Sequence, residues 1–193
     1  MEKPTYRTLV PMFDELRGAR VLVRPYRQED AQDLFDAIGE SRDHLRPWMP
    51  FADAHQAIEE SMDWINEQRA KWILREAMNV GIWEVGDGGR YLGGSGLYPH
   101  NWSVRYFEIG YWLRRSAEGR GYMSEAVQLL VDFAFSSLNA RRLEIRCDEL
   151  NTRSAAVAVL LGFVREGCLR NDTLTPDGQL RNTLIFSRIP GDA

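Results

Sequence analysis

Leu113-Arg114-Arg115-Ser116-Ala117-Glu118-Gly119-Arg120-Gly121-Tyr122-Met123-Ser124-Glu125-Ala126 is the stretch whose reading decides the fold. A strand pattern enters it from Tyr106 to Leu113, and a helical pattern leaves it from Tyr122. Between them lie two glycines one residue apart, with Arg114, Arg115 and Arg120 around them. Glycine lets backbone approach a ligand closely, the first N–H groups of a helix lack partners, and the helix dipole favours negative charge there. The junction suits an anion such as a pyrophosphate. It also suits an ordinary tight strand-to-helix turn with solvated arginines, so the rest of the chain decides.

On the entering strand, Tyr106, Glu108, Gly110 and Trp112 share one face, and Phe107, Ile109, Tyr111 and Leu113 share the other. The second face is apolar and is expected to be core. The first holds a carboxylate among aromatics. Upstream, Val80–Val85, a glycine-rich turn (Gly86-Asp87-Gly88-Gly89) and Arg90–Tyr98 read as a hairpin, making a three-strand meander with Arg105–Leu113. Further upstream, Arg20–Pro25 is a strand ended by proline. Ala31, Leu34, Phe35 and Ile38 follow at helical spacing up to Gly39. Two prolines keep His44–Phe51 from being a regular helix, leaving a loop with Trp48, Met49 and Phe51. A longer amphipathic helix runs from about 54 to 76.

Downstream, Met123, Ala126, Val127, Leu130, Ala134 and Leu138 make an apolar helical stripe, and Arg142–Cys147 alternates as a strand. Asn151–Leu161 is a helix ended by Gly162, and Phe163–Arg170 and Arg181–Ile189 are strands joined by a Thr-Pro-Asp-Gly turn. Residues 1–18 have no clear period and read as an arm over the surface, with one α+β domain from 19 to 193. The 193 residues are 44% hydrophobic and 27% charged, with net charge −4. That balance disfavours a broad nucleic-acid surface. No apolar run resembles a signal peptide or membrane span, and two cysteines and three histidines without ligand spacing predict a reduced cytoplasmic protein with no metal.

This order resembles the GNAT acetyltransferases: a mixed central sheet flanked by helices on both faces. The acetyl-CoA loop of that superfamily reads Gln/Arg-x-x-Gly-x-Gly/Ala; here Ser116-Ala117-Glu118-Gly119-Arg120-Gly121 matches both glycines and departs at Ser116. Within the superfamily the chain is most similar to the RimJ/RimL group, over Ala19 to Ile189. The marks are Leu22-Val23-Arg24-Pro25, Leu45-Arg46-Pro47-Trp48-Met49-Pro50, Glu108-Ile109-Gly110-Tyr111-Trp112-Leu113, Gly119-Arg120-Gly121-Tyr122-Met123-Ser124-Glu125-Ala126, Asn151-Thr152-Arg153-Ser154 and Gly162-Phe163-Val164-Arg165-Glu166-Gly167.

The resemblance implies direct transfer of acetyl from acetyl-CoA to a primary amine, on a protein N-terminus or a small molecule, and a homodimer is common among such relatives. Backbone from Gly119 to Ser124, including Arg120, Gly121, Tyr122 and Met123, would hold the pyrophosphate, with Arg114 and Arg115 near the phosphates. Trp112, Leu113 and Arg114 would pair with pantetheine, and Asn151 would touch it while capping its helix. Many members protonate the thiolate with a tyrosine whose position here is Ala158; in the RimL-like group a serine takes that part, which is Ser154. The base stays open among Glu108, Glu84 and Asp172. Trp48, Met49, Phe51 and Glu84 are expected at the acceptor. Asn182 and Phe186 depart from an aspartate and tyrosine frequent in relatives. A CoA-binding sensor without transfer activity and a small-molecule detoxifier are the competing readings.

Overall fold

A strand buried on both faces, as 78–83 is, needs a layer on each side of its sheet. A computed structural model describes residues 6–86, 89–175 and 177–192, leaving Asp87, Gly88 and Pro176 of the two expected turns outside it. Eight strands form one sheet: β1 (Leu16–Arg17), β2 (Val21–Pro25), β3 (Met78–Glu84), β4 (Tyr91–Asn101), β5 (Tyr106–Leu113), β6 (Arg142–Asp148), β7 (Val164–Leu174) and β8 (Leu180–Arg188), in the order β1-β2-β3-β4-β5-β6-β8-β7. Every pair is antiparallel except β5 and β6. The expected α+β class with a mixed sheet and helices on both faces is what the molecule has.

Helix α3 (Tyr122–Ser136) packs Ala126, Val127, Leu130 and Ala134 against Val21, Val80, Leu97, Phe107 and Ile109, with Ala158 of α4 (Thr152–Leu160) in the same cluster. Helices α1 (Ala31–Leu45) and α2 (Ile58–Leu74) cover the other face, burying Leu34, Ile38 and Ile65 with Tyr26, Trp83 and Tyr91. Among the described residues no helix is long and apolar enough to cross a membrane.

Three local readings change. Helix α1 does not stop at Gly39 but runs to Leu45, because Ser41 and Leu45 continue its buried stripe. His44 and Leu45 are therefore helical, and the irregular segment starts at Arg46. The described part of the expected arm is built into the fold: Leu16–Arg17 is an edge strand, and Val10 is buried. Phe13 stands edge-on to Trp72 and Phe133 at 5.3 and 4.6 Å. Finally, the apolar face of β5 is core only at Phe107 and Ile109; Tyr111 and Leu113 are half-buried.

Candidate active site

The reason for that change is the course of β5. It pairs with β6 only at Tyr106–Arg142, Phe107–Leu143 and Glu108–Glu144, and the two strands part beyond Glu108. From Ile109 to Leu113 the β6-facing edge of β5 has no strand partner, which leaves backbone donors and acceptors free. Into this splay come the loop Arg114–Gly121 at the end of β5, and Asn151 and Ser154 from the start of α4.

The loop is fixed from beneath, by partners distant in sequence. Glu40 and Ser41, on the extra turn of α1, receive the backbone N–H groups of Ser116 (2.9 Å) and Arg115 (3.0 Å). Arg114 binds Glu40 through its guanidinium and donates to the Tyr91 carbonyl (3.1 Å). Although burial works against ionisation of Glu40, the hydrogen bonds from Arg114 and Ser116 hold its pKa down at about 2. The Arg114 guanidinium is thus engaged by the fold. Arg115 and Arg120 are exposed and form no ion pair among the described residues.

Gly119 and Gly121 both take left-handed backbone conformations, at φ 73° and 77°. That geometry turns the chain into α3 with Gly121 as the cap and no side-chain cap bond, so the N–H groups of Tyr122, Met123 and Ser124 have no helical partner. Tyr122 and Met123 bury their side chains and offer only backbone here. A residue that the sequence reading passed over holds the loop in place. Arg20 donates to the Arg120 carbonyl (2.8 Å), to the Gly121 carbonyl (3.4 Å) and to Glu125 through Nε (2.8 Å), and Glu125 also accepts the Arg20 backbone N–H (2.7 Å). With its carbonyls drawn back toward Arg20, the loop keeps its N–H groups for another partner.

At α4, the Asn151 side chain accepts the Ser154 N–H (3.1 Å), which caps the helix and leaves the Asn151 amide donors unengaged among the described residues. Ser154 Oγ donates to the Tyr111 hydroxyl (3.2 Å), which donates to the Ser154 carbonyl (2.9 Å). Burial pushes the Tyr111 pKa well above its usual value, so the phenol stays protonated.

Three clefts meet at Trp48 and Met49, on the turn that follows α1. The first (≈ 340 Å³) contains Tyr111, Trp112, Leu113, Met123, Asn151 and Ser154. The second (≈ 680 Å³) lies under α1 and α2 and includes Phe51, Tyr111 and Trp112. The third (≈ 270 Å³) gathers Glu108, Asp172, Asn151 and Ser154, with Asp148, Arg146 and Arg181. Thus Ser154, Asn151, Glu108, Asp172, Trp48, Met49, Trp112 and Leu113 border one connected region. Glu84 lines none of the three: its carboxylate accepts the Tyr122 hydroxyl. Glu108 accepts from His100 (2.7 Å), and Arg146 lies 3.8 Å away. His100, Glu108 and Glu144 could place ligand atoms within 4.8 Å of one another, but Glu144 is engaged by Arg142 (2.5 Å) and Arg146 (2.6 Å).

Residues 20–164 match the family model described as an acetyltransferase (GNAT) domain. The chain is 31% identical to a Bacillus subtilis protein named probable N-acetyltransferase YjcK, over 81% of this chain and 87% of that one. It is 27% identical to the Escherichia coli [ribosomal protein uS5]-alanine N-acetyltransferase, over 93% and 92%. The structure of Mycobacterium smegmatis RimJ in complex with CoA-disulfide superimposes with TM-score 0.79 at 26% identity, covering 88% of this chain and 82% of that one.

Proposed function

The chain belongs to the GNAT acetyltransferase family and is an N-acetyltransferase, and from that premise we propose how its residues carry acetyl from acetyl-CoA to the amine of a peptide N-terminus or small molecule. The observation that carries the reading is the open edge of β5 beyond Glu108, facing the capped start of α4 and leading to the unsatisfied N-terminus of α3. The donor sulfur and pantetheine would lie along Trp112–Arg114 and Asn151. The pyrophosphate would meet the N–H groups from Gly119 to Ser124, and the exposed Arg115 and Arg120 would add charge at the phosphates. Acetyl-CoA supplies the thioester carbonyl that the amine attacks.

Glu108 takes the amine's proton, directly or through a water, from the last paired position before the splay. Ser154 gives its hydroxyl proton to the departing sulfur by turning it away from Tyr111. Trp48, Met49 and Phe51 wall the acceptor. A relative named [ribosomal protein uS5]-alanine N-acetyltransferase, at high mutual coverage, supports a protein amine as one acceptor class. Thiol release from acetyl-CoA, measured against a panel of amines and peptides, tests the whole scheme; release that does not depend on an acceptor would count against it.

Two variants probe its parts. Glu108→Gln is expected to lower kcat/KM at neutral pH by about tenfold or more, with unchanged affinity for acetyl-CoA by calorimetry. A normal rate would move the base to Asp172. Arg20→Ala is expected to weaken acetyl-CoA binding about tenfold, the effect of losing charge-assisted hydrogen bonds that hold the loop carbonyls back. Calorimetric titration of the variant reads this directly, and wild-type affinity would leave Arg20 a purely structural staple between β2 and α3.

A further inference from the structure

The larger cleft, under α1 and α2, has a composition that narrows the acceptor. Its walls are rings: Tyr26, Phe51, Trp64, Tyr98 and Trp112, with Trp48 at the junction to the donor side. On the sheet side two glycines, Gly94 and Gly110, line it. A Cβ on Gly94 would lie 2.6 Å from the Tyr26 hydroxyl and 2.7 Å from Trp112 Nε1, and one on Gly110 would lie 3.1 Å from the Tyr98 ring. Glycine on β4 and β5 is therefore what lets rings lie across the sheet and enclose space above it. The walls meet at steep tilts, with Tyr26 and Trp64 at 5.2 Å and 80° and Phe51 and Trp112 at 5.8 Å and 59°. Such edges and faces are what another aromatic ring packs against best.

Several polar groups of the cleft pair within the protein. Tyr98 donates to Asn79 (2.6 Å), Asn79 to Gln68 (2.8 Å), and Ser95 to the Gly110 carbonyl (2.8 Å). His55 is paired with Ser61 (2.8 Å), and burial lowers its pKa, so it is neutral. The ionised side chains at the cleft, Lys71 and Glu76, are half-exposed and face Glu67 (3.4 Å) and Arg7 (2.8 Å). Nothing inside calls for a charged guest. Trp48, Met49, Tyr111 and Trp112 line both this cleft and the donor cleft, so the two spaces adjoin.

We propose that the acceptor is a primary amine carrying an aromatic ring a few bonds from its nitrogen, with the ring seated in this cleft; this rests on the acetyl-transfer reading above. In the reaction the amine nitrogen bonds the acetyl carbon as the carbon–sulfur bond breaks. One amine proton passes to the base, the thiolate takes the hydroxyl proton of Ser154, and the proton on the base returns to Ser154 through solvent, so no further reactant is needed.

The test compares acceptors at saturating acetyl-CoA: tripeptides that begin with phenylalanine, alanine or serine, and phenethylamine against propylamine. The ring-bearing member is expected to show roughly 10- to 100-fold higher kcat/KM, the discrimination an apolar pocket supports, expressed in KM. Preference within the peptide arm or within the free-amine arm identifies the source of the ring. Trp64→Leu keeps apolar bulk and removes one ring, and is expected to cut the selectivity about fivefold, the worth of a single ring contact. Saturable quenching of tryptophan emission by phenethylamine, and none by propylamine, gives the same comparison without turnover. Equal rates for alanine and phenylalanine peptides and for the two amines would overturn the aromatic acceptor and leave acetyl transfer standing. Ring-selective quenching without thiol release from any acceptor would do the reverse. No ring-selective quenching and no ring-selective rate sinks the inference outright.

Discussion

Gly121→Asp is expected to raise the dissociation constant for acetyl-CoA about 1,000-fold while the protein stays folded. Gly121 sits at φ 77°, as the residue that caps α3. A side chain there meets only the Arg20 guanidinium, 3.3 Å from the new Cβ, which a carboxylate can engage. The left-handed backbone costs a non-glycine residue about 1–2 kcal/mol, and aspartate tolerates it better than most. An aspartate at a helix cap is also a good acceptor for first-turn N–H groups, so it would occupy the donors that the pyrophosphate needs. Its charge then repels the phosphates: two unit charges about 4 Å apart near a protein surface interact by about 4 kcal/mol. At about 1.4 kcal/mol per tenfold, that amounts to roughly three orders of magnitude in affinity. Calorimetric titration with acetyl-CoA, beside a circular dichroism spectrum matching the parent, is the check. Affinity within tenfold of the parent would remove the loop from the donor site.

Ser154→Ala is expected to reduce turnover by roughly 100- to 1,000-fold, the range for losing a positioned proton donor, with acetyl-CoA affinity nearly unchanged. The substitution is clean for a structural reason. The bond that caps α4 runs from the Ser154 backbone N–H to Asn151, and alanine retains it. What disappears is the hydroxyl 3.2 Å from Tyr111. The phenol is a poor substitute, because its proton is committed to the Ser154 carbonyl and burial holds its pKa high. Pre-steady-state mixing of the variant with acetyl-CoA and acceptor separates the chemical step from binding. Turnover within threefold of the parent would leave Ser154 a helix residue only.

The order of elements was legible because each strand and helix of the core carries its own period. Leu143, Ile145 and Cys147 alternate inward, and Ala126, Leu130 and Ala134 recur at helical spacing. What period cannot report is where two strands separate. Tyr111 shares the apolar face of β5 with Phe107, yet the departure of β6 after Glu144 leaves it at the rim of a cleft beside Ser154. Residue type alone likewise could not distribute the arginines. Arg114 looked as available to phosphate as Arg115 and Arg120, but α1 continues through Gly39 and brings Glu40 to it. Arg20, remote in sequence, gave no sign of its place beneath the loop, because only the docking of β2 against α3 brings it there. Glu84, expected at the acceptor or as a base, instead accepts the Tyr122 hydroxyl, a partner 38 positions away that no local pattern in the sequence points to. The ring-walled cleft did leave one trace, the run Gly93-Gly94-Ser95-Gly96 in the middle of a strand, where small residues weaken a sheet unless something must lie against it.

The turn after α1 has a consequence for how the two substrates sense each other. Arg42 ties the chain just after this segment through the Ala52 and His55 carbonyls, and Arg46 binds Asp53 at 2.7 Å. Trp48 and Met49 are thus carried on a braced unit while bordering every one of the three clefts. A shift of those two side chains that closes one cavity reshapes its neighbours. Whatever factor the donor contributes to the grip on the acceptor, the acceptor must return to the donor, since linkage between sites is reciprocal. Any coupling that passes through Trp48 and Met49 would therefore have the same size whether it is measured as donor affinity or as acceptor affinity.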